Sequence, residues 1–395
     1  MLPIIAMHYF SCSYPESIPH LGCGQISPIL SAPKKPIISI FRQSLRKWVS
    51  PTYTHTHPLP VTGSSCVRIS RIPCLRSRKD RMPVALEATN GLQRQGEPEE
   101  FLEEEELHFV EGKLLSELST WGIGGPAKYF VELHTEPQLL TALRYCHKHN
   151  LRFLILGRGS NCLFDDRGFD GCVMLNRINF IEKINPATYR VGSGYAFNLL
   201  GLQCSKDGLT GLEFASGIPG TVGGAVFMNA GADGQDTADV LKYVEIIMVD
   251  GRRRVFQRAE LTFSYRKSPF QGMQNFAVIV AATFELKPLP SSRQHQKAYL
   301  ERRNKTQPIS ERSAGCVFRN PTTTTHSAGA IIEQAGLKGV MLGGAKVSEV
   351  HANFLINVEK STSTDMRSLI KFVKDQVREK VGVELHEEIL YVPYN

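Results

Sequence analysis

A glycine-rich segment, GLEFASGIPGTVGGAVFMNAGADG at residues 211–234, constrains the fold more than any other part of the chain. Because glycine lacks a Cβ, such a backbone can approach a rigid ligand closely and turn its N–H groups toward it. Between the glycines lie apolar residues that would hold the segment against a core: Leu212, Phe214, Ile218, Val222, Val226 and Met228. We interpret the segment as one long loop that cradles a cofactor, and not as a flexible linker.

A second glycine-containing loop, GRGSN at Gly157 to Asn161, follows the apolar run FLIL. Its glycines allow successive N–H groups to face one anion, and the side chains of Ser160 and Asn161 add donors. The loop has neither the GxGxxG spacing of a dinucleotide fingerprint nor the lysine of a P-loop. On these residues alone, a pyrophosphate site and an ordinary tight turn are both open.

The positive charge is concentrated at the start of the chain. Residues 1–79 contain ten Lys or Arg and one acidic residue, Glu16, so they contribute +9 to the formal net charge of +8 and the rest sums to −1. A folded part without excess positive charge does not attract a phosphate backbone. We therefore expect no nucleic-acid partner.

The same residues have the composition of an organelle transit peptide, since they are rich in Ser and Thr, nearly free of acidic residues and interrupted by prolines. We predict that residues 1–96 are a transit peptide and a disordered linker, with cleavage between Lys79 and Gly96. A chloroplast (plastid stroma) is favoured over a mitochondrion, and a disordered tail without an address is the alternative. No run of about 18 apolar residues follows, so no membrane association is expected.

The cysteines after residue 96 are odd in number, and no CxxC or paired-histidine spacing accompanies them. We predict reduced thiols and no metal site. These cysteines are Cys146, Cys162, Cys172, Cys204 and Cys316.

Apolar patterns after residue 107 predict short strands mixed with helices, which is typical of an α+β protein. The predicted strands are 153–156, 172–175, 189–191, 244–249, 277–284, 353–358 and 388–392, and the predicted helices are 137–149, 327–335 and 363–381. A polar stretch at 287–303 contains two prolines and predicts a domain boundary near residue 290, with one domain at 97–288 and another at 289–395.

Several motifs resemble those of the UDP-N-acetylenolpyruvoylglucosamine reductase family, and they occur in the family's order from about residue 108 to the C-terminus. They are STWGIGGPAKYF at 119–130, GIPGTVGGAVFMNAGADG at 217–234, FSYRKSPF at 263–270, SAGCVFRNP at 313–321, AGAIIEQAGLKG at 328–339, VSEVHANFLIN at 347–357 and GVELHEEILY at 382–391.

The resemblance implies an FAD-binding domain of the PCMH, or vanillyl-alcohol-oxidase, type with two α+β subdomains, followed by a smaller α+β substrate-binding domain. It implies non-covalent FAD that takes a hydride from NADPH and reduces the enolpyruvyl ether of UDP-N-acetylglucosamine enolpyruvate to UDP-N-acetylmuramate, a peptidoglycan precursor. The implied partner is this small-molecule UDP-sugar, and we expect a monomer or a weak homo-oligomer.

Both glycine-rich loops contact FAD in the family. The residues that match are Gly157, Arg158, Gly159, Ser160, Asn161, Ser216, Gly217, Ile218, Pro219, Gly220, Gly223, Gly224, Asn229, Ala230 and Gly231.

Arg266, Cys316 and Glu388 correspond to the family's catalytic groups. Arg266 would bind the enolpyruvyl carboxylate, because a planar guanidinium makes two-point contacts and stays charged. Glu388 would assist proton transfer. Without the motifs, Arg266 would be taken for a surface residue, and the neighbouring Glu387 competes with Glu388.

Cys316 departs from the family's pattern, in which the usual proton donor is a serine. A thiol is a stronger acid than a serine hydroxyl, so the substitution can preserve proton delivery. Taken by itself, a small cysteine before Val317 and Phe318 would more often be a core residue.

Arg303, Lys305 and Asn320 lie where the family binds the UDP part of the substrate, and each has suitable donors. Two alternatives to the reductase stay open. One is an FAD oxidoreductase of the same superfamily that acts on a different sugar or hydroxy acid, and the other is a flavin-binding relic without reductase activity.

Overall fold

Short strands alternate with six helices in residues 107–395, the part of the chain that the structure, a computed structural model, describes. In chain order the strands are β1 (Lys113–Leu114), β2 (Pro126–Leu133), β3 (Phe153–Leu156), β4 (Cys162–Phe164), β5 (Phe169–Asn176), β6 (Ile181–Asn185), β7 (Thr188–Gly192), β8 (Leu209–Thr210), β9 (Gly231–Ala232), β10 (Gln235–Asp236), β11 (Leu241–Met248), β12 (Arg253–Gln257), β13 (Phe276–Glu285), β14 (Lys287–Pro288), β15 (Ser313–Cys316), β16 (Met341–Leu342), β17 (Ala345–Val347), β18 (Phe354–Asn357) and β19 (Leu390–Val392). The helices are α1 (Glu136–Lys148), α2 (Phe197–Lys206), α3 (Val222–Met228), α4 (Ser292–Thr306), α5 (Ala328–Gln334) and α6 (Ser363–Val381).

The first sheet has the strand order β1-β2-β5-β3, and both β2 and β3 run parallel to β5. Helix α1 follows β2. Thr135 caps the start of this helix, and its side chain accepts a hydrogen bond from the N–H of Gln138. Leu139, Leu143 and Cys146 fall on one helical face and are buried against this sheet. The helix predicted from that spacing is confirmed.

The second sheet is antiparallel, with the strand order β12-β11-β13-β7-β6. Its central strand β13 is buried along almost its whole length, as expected for an apolar run with neighbours on both sides and on both faces. One face packs on α2 and α3, and the other shares a core with the first sheet and α1. Apolar residues of the second glycine-rich segment, among them Leu212, Phe214 and Val226, belong to the core on the α2 and α3 face.

The C-terminal part has a four-stranded antiparallel sheet, β15-β18-β17-β16, whose core includes α5 and α6. A capping box between Thr362 and Asp365 begins α6, and Gly382 ends it in the left-handed conformation at φ 73°. The helix predicted at 363–381 is therefore confirmed with its bounds. The helix predicted at 327–335 corresponds to α5 and the two residues that cap it.

The end of the chain returns to the first sheet's side of the molecule. Strand β19 pairs in parallel with β4, and Leu163 of β4 lies in the core of the C-terminal part. The carboxylate of Asp166 accepts hydrogen bonds from the N–H of Ser363 at 2.7 Å and from the N–H of Thr364 at 3.2 Å, at the start of α6. A helix N-terminus presents unpaired N–H groups, so the carboxylate joins the two parts.

The sequence analysis missed one helix, and one of its predictions was wrong. The stretch at 287–303 contains most of α4, which sequence patterning missed because the buried residues of its first half, Ser292 and Gln296, are polar and leave no apolar period. The segment at 211–234 is not one loop, because α3 forms within it, capped by the side chain of Thr221 and ended by Asn229 at φ 44°.

The seven predicted strands are confirmed, with ends that differ from the prediction by at most three residues. The domain boundary between residues 288 and 289 stays a prediction. The transit peptide, its linker and its cleavage site lie outside the described residues. Within residues 107–395 the five cysteines are free, and none of the six helices has the length and apolar character needed to cross a lipid bilayer.

We expect Asp166→Ala to lower the free energy of unfolding by about 1–2 kcal/mol, because it removes the acceptor at the N-terminus of α6. Urea denaturation of the full chain measures this. Asp170→Ala is the matched control, since Asp170 makes an exposed ion pair with Lys128 and its loss should leave the midpoint unchanged. Equal shifts in the two variants would contradict the role of Asp166.

Candidate functional site

A cavity of about 480 Å³ lies where the two glycine-rich segments meet the C-terminal part. Arg266, Cys316 and Glu388, which are far apart in the sequence, all line it. So does Arg303. The structure therefore brings together the three residues that the resemblance marked as catalytic.

Arg266 and Glu388 form an ion pair, with Nε of the arginine 2.7 Å from Oε1 of the glutamate. Only 17% of the Arg266 side chain and 15% of the Glu388 side chain are exposed. Burial raises the pKa of Glu388, and the charge of Arg266 opposes the rise. A second guanidinium nitrogen donates to the carbonyl of Gly231 at 2.7 Å, and a third lies 3.7 Å from Asp236.

Arg266 adopts a left-handed backbone conformation, with φ 55°. It is the second central residue of a two-residue turn closed by two hydrogen bonds between Ser264 and Lys267, at 3.1 and 2.9 Å. Left-handed geometry is unfavourable for a residue with a long side chain, so the surroundings must hold it. Such strain at a residue that faces a cavity is typical of a functional site.

Cys316 is the last residue of β15 and faces the same cavity. Burial raises the pKa of its thiol to about 12; the charge of Glu388 adds to the rise, and the charges of Arg266 and Arg303 oppose it. The thiol is therefore protonated at neutral pH. A protonated group beside a reacting carbon can act as a general acid.

The two glycine-rich segments lie against each other. A Cβ on Gly157 would lie 2.6 Å from Oγ1 of Thr221, and one on Gly220 would lie 3.5 Å from Oγ of Ser160. Gly159 has φ 59°, and a Cβ there would overlap the carbonyl of Leu118. Glycine is required at Gly157 because Thr221 of the other segment leaves no room for a side chain, and at Gly159 because the backbone of Leu118 does.

A second cavity, of about 310 Å³, shares Arg158, Ile218 and Pro219 with the first. Three buried side-chain atoms that line it have no hydrogen-bond partner within the described residues: Oγ1 of Thr120, Oδ1 of Asn198 and Oγ of Ser216. Buried polar atoms are normally paired, so unpaired ones that face a cavity indicate a polar ligand.

These features fit FAD. The larger cavity is mainly apolar and suits a planar ring system, while the adjoining cavity offers unpaired polar atoms to the remainder of a long ligand. Arg158, at the junction, makes no ion pair within residues 107–395 and is free to meet a phosphate.

Of the fifteen residues matched to FAD binding, fourteen line one of the two cavities, and Asn229 does not. Asn161 lines the larger cavity, but its amide donates to the carbonyl of Glu388 at 3.1 Å. Of the residues matched to UDP binding, Arg303 lines the cavity, whereas Lys305 is exposed on α4 and the side chain of Asn320 accepts from the N–H of Ala328.

Sequence reasoning assigned no role in the site to Asn353, which is 2% exposed. Its amide accepts from the N–H of Phe318 at 2.9 Å and donates to the carbonyl of the same residue at 2.8 Å. These bonds hold the backbone two residues beyond Cys316. The only signal in the sequence was a polar residue within the apolar run HANFLIN.

Residues 107–395 hold no group of three or more His, Cys, Asp or Glu side chains suited to a metal ion. The site consists of side-chain and backbone donors, three arginines, a carboxylate and a neutral thiol.

The chain is similar to several known proteins. A family model described as "UDP-N-acetylenolpyruvoylglucosamine reductase, C-terminal domain" matches residues 307–392, and one described as "FAD binding domain" matches residues 127–256. The UDP-N-acetylenolpyruvoylglucosamine reductase of Protochlamydia amoebophila is 52% identical over 282 residues, which are 71% of this chain and 93% of that protein. The protein of the same name from Chlamydia trachomatis serovar A is 48% identical over 280 residues, 71% of this chain and 94% of that protein.

A crystal structure of the UDP-N-acetylenolpyruvylglucosamine reductase of Thermus caldophilus is also similar. Its TM-score is 0.60 and its sequence identity 32%, over 73% of this chain and 99% of that one.

We expect the alkylation of Cys316 by iodoacetamide to rise about tenfold per pH unit from pH 8 to pH 10, because only the thiolate reacts and the pKa of about 12 lies above that range. Mass spectrometry of the native full chain measures the rate. The urea-unfolded chain is the control, and there the rate should level off above about pH 9. A plateau near pH 9 in the native protein would contradict the raised pKa.

Proposed function

Because this chain belongs to the UDP-N-acetylenolpyruvoylglucosamine reductase family, we propose that it reduces the enolpyruvyl ether of UDP-N-acetylglucosamine enolpyruvate to UDP-N-acetylmuramate, for peptidoglycan precursor synthesis. FAD is the cofactor and NADPH the hydride donor. The observation that carries the proposal is the meeting of Arg266, Cys316 and Glu388 in the cavity lined by both glycine-rich segments.

When bound, FAD supplies the hydride transfer from NADPH to the substrate. Arg266 contributes a fixed positive charge to the cavity, where it stabilises the negative charge that develops on the enolpyruvyl carboxylate as the hydride arrives. It is preorganised, because Glu388 and the carbonyl of Gly231 already hold its guanidinium at 2.7 Å each. Little reorganisation is then needed at the moment of reaction.

Cys316 supplies the proton that completes the reduction. Its raised pKa keeps the proton on the sulfur until the neighbouring substrate carbon gains negative charge. Glu388 has two functions in this scheme. It orients Arg266, and its carboxylate raises the pKa of the Cys316 thiol.

Arg303 is suited to the diphosphate of the UDP-sugar. It is largely buried at the cavity wall, where a Cβ on Gly217 would lie 2.6 Å from its Cδ, and it makes no ion pair within the described residues. Burial lowers the pKa of its guanidinium, but an arginine remains protonated in proteins, so the group stays charged. An unpaired buried cation beside a cavity is well placed to bind an anion.

The function predicts that the full chain, purified with bound flavin, oxidises NADPH rapidly only when UDP-N-acetylglucosamine enolpyruvate is present. Absorbance at 340 nm and the flavin spectrum measure the two steps. Bound flavin without substrate-dependent oxidation would favour a superfamily relative with another substrate or a flavin-binding relic. A preparation that cannot bind flavin would overturn the proposal.

The matched variants are Cys316→Ser and Cys316→Ala. The serine variant keeps an acidic proton, so substrate-dependent oxidation should persist. The alanine variant should lose that step, while its bound flavin should still accept a hydride from NADPH. Equal activity in all three forms would mean that the proton comes from elsewhere.

We also propose that the chain is of a plant or organelle type, imported into the chloroplast, and that it works as a monomer or weak homo-oligomer without nucleic acid or a membrane. The basic, acid-poor composition of residues 1–79 supports import, and the net charge of −1 after residue 79 argues against a nucleic-acid partner. The Thermus protein aligns with 73% of this chain, so the part of the chain outside the alignment is long enough to include a leader.

Residues 1–96 fused to a fluorescent protein should accumulate in the plastids of plant protoplasts, as seen by microscopy. Replacing the ten Lys and Arg of residues 1–79 with Gln should abolish import, because the positive charge is the feature typical of targeting. Mitochondrial or cytosolic fluorescence of the unmodified fusion would contradict the proposed address.

A further inference from the structure

The side chain of Asn229 connects three segments around Arg266. Its amide nitrogen donates to the carbonyl of Ser264 at 3.0 Å and lies 3.4 Å from Oδ2 of Asp236, and its oxygen accepts from the N–H of Ala238 at 3.1 Å. Asn229 is 2% exposed. An asparagine amide has two N–H donors, and both are directed to protein oxygens. No donor is left for FAD, which the sequence had assigned to this residue.

The contact with Ser264 matters because Ser264 begins the turn that holds Arg266 in its left-handed conformation. The side chain of Gln271 supports the other side of the turn by donating to the carbonyl of Arg266 at 3.2 Å. Asn229 also ends α3, the helix within the second glycine-rich segment. The amide therefore ties the Arg266 turn to the wall of the cofactor cavity.

The contact with Asp236 matters for charge. The two oxygens of this carboxylate face different neighbours, since Oδ1 lies 3.7 Å from Arg266 and Oδ2 lies beside the Asn229 amide. The neutral amide of Asn229 provides a hydrogen-bond donor to the Asp236 carboxylate without adding a positive charge. Arg266 is then left to pair with Glu388 at 2.7 Å and to face the cavity.

We propose that Asn229 is a positioning residue for Arg266, acting on the reduction step through the Ser264–Lys267 turn and not by contact with FAD. The proposal rests on the function proposed above. It predicts that Asn229 affects the substrate-dependent step alone, because that is the step in which Arg266 acts.

Asn229→Asp tests the proposal with almost no change of shape. Aspartate tolerates a left-handed backbone, but it cannot donate to Ser264 and it places a second carboxylate beside Asp236. We expect flavin reoxidation by the substrate to slow by about 10- to 100-fold, as for a catalytic group misplaced by about 1 Å. Flavin affinity and reduction by NADPH should change less than about threefold, within the scatter expected when the reacting groups of a step are untouched.

A double-mutant cycle with Arg266→Ala separates positioning from a general structural effect. If Asn229 acts through Arg266, then Asn229→Asp should slow the reaction little further once Arg266 is absent. Asn150→Asp is the matched control, because Asn150 is an exposed asparagine with φ 54° at the end of α1, and it should leave both half-reactions unchanged.

Multiplicative losses in the double variant, or loss of flavin from folded Asn229→Asp protein, would overturn the proposal. If Asn229→Asp does not fold, Asn229→Gly replaces it, since glycine accepts the same backbone conformation. Failure of both variants to fold would show that Asn229 is a purely structural residue and would overturn the proposal.

If the wild type does not oxidise NADPH with the substrate, the proposed function fails. Crystal structures of the wild type and Asn229→Asp then decide the positioning role by whether the Arg266 guanidinium moves.

Discussion

The ion pair between Arg266 and Glu388 is the interaction on which the site depends. It joins residues 122 positions apart, one from a turn beside the second sheet and one from the segment that leads into the last strand. A buried arginine or glutamate without its partner would strongly destabilise the folded protein. The two charges are therefore accommodated only when the two parts of the chain come together. Closure also completes the cavity, because each side contributes part of its wall.

Three asparagines hold the backbone segments that carry the three candidate catalytic residues. Asn229 bonds to Ser264 beside Arg266, Asn353 bonds to Phe318 beyond Cys316, and Asn161 bonds to the carbonyl of Glu388. Amides suit this task because one side chain can donate and accept at once without adding charge. The net charge of the cavity comes from Arg158, Arg266, Arg303 and Glu388, and it favours anionic ligands.

The thiol at position 316 suits these surroundings. Burial and the nearby carboxylate keep it protonated, while Arg266 and Arg303 limit how far its pKa rises. The family's usual serine would be neutral in the same place without any such adjustment. Replacement of serine by cysteine is therefore compatible with proton donation, because a thiol is already mostly protonated at neutral pH and burial in the cavity raises its pKa further.

The sequence by itself determined the elements with a strong local pattern. The helix at 363–381 has an apolar stripe, and the helix formed there with the predicted bounds. Ordered motifs also identified Arg266, Cys316 and Glu388. Only the tertiary structure decided what depends on distant partners: α4, whose buried face is polar, and the role of Asn229, whose hydrogen bonds reach Ser264 and Ala238. Local sequence patterns indicate the hydrophobic period and the backbone preference of a segment, whereas the hydrogen-bond partner of a side chain depends on which distant segments the fold brings next to it.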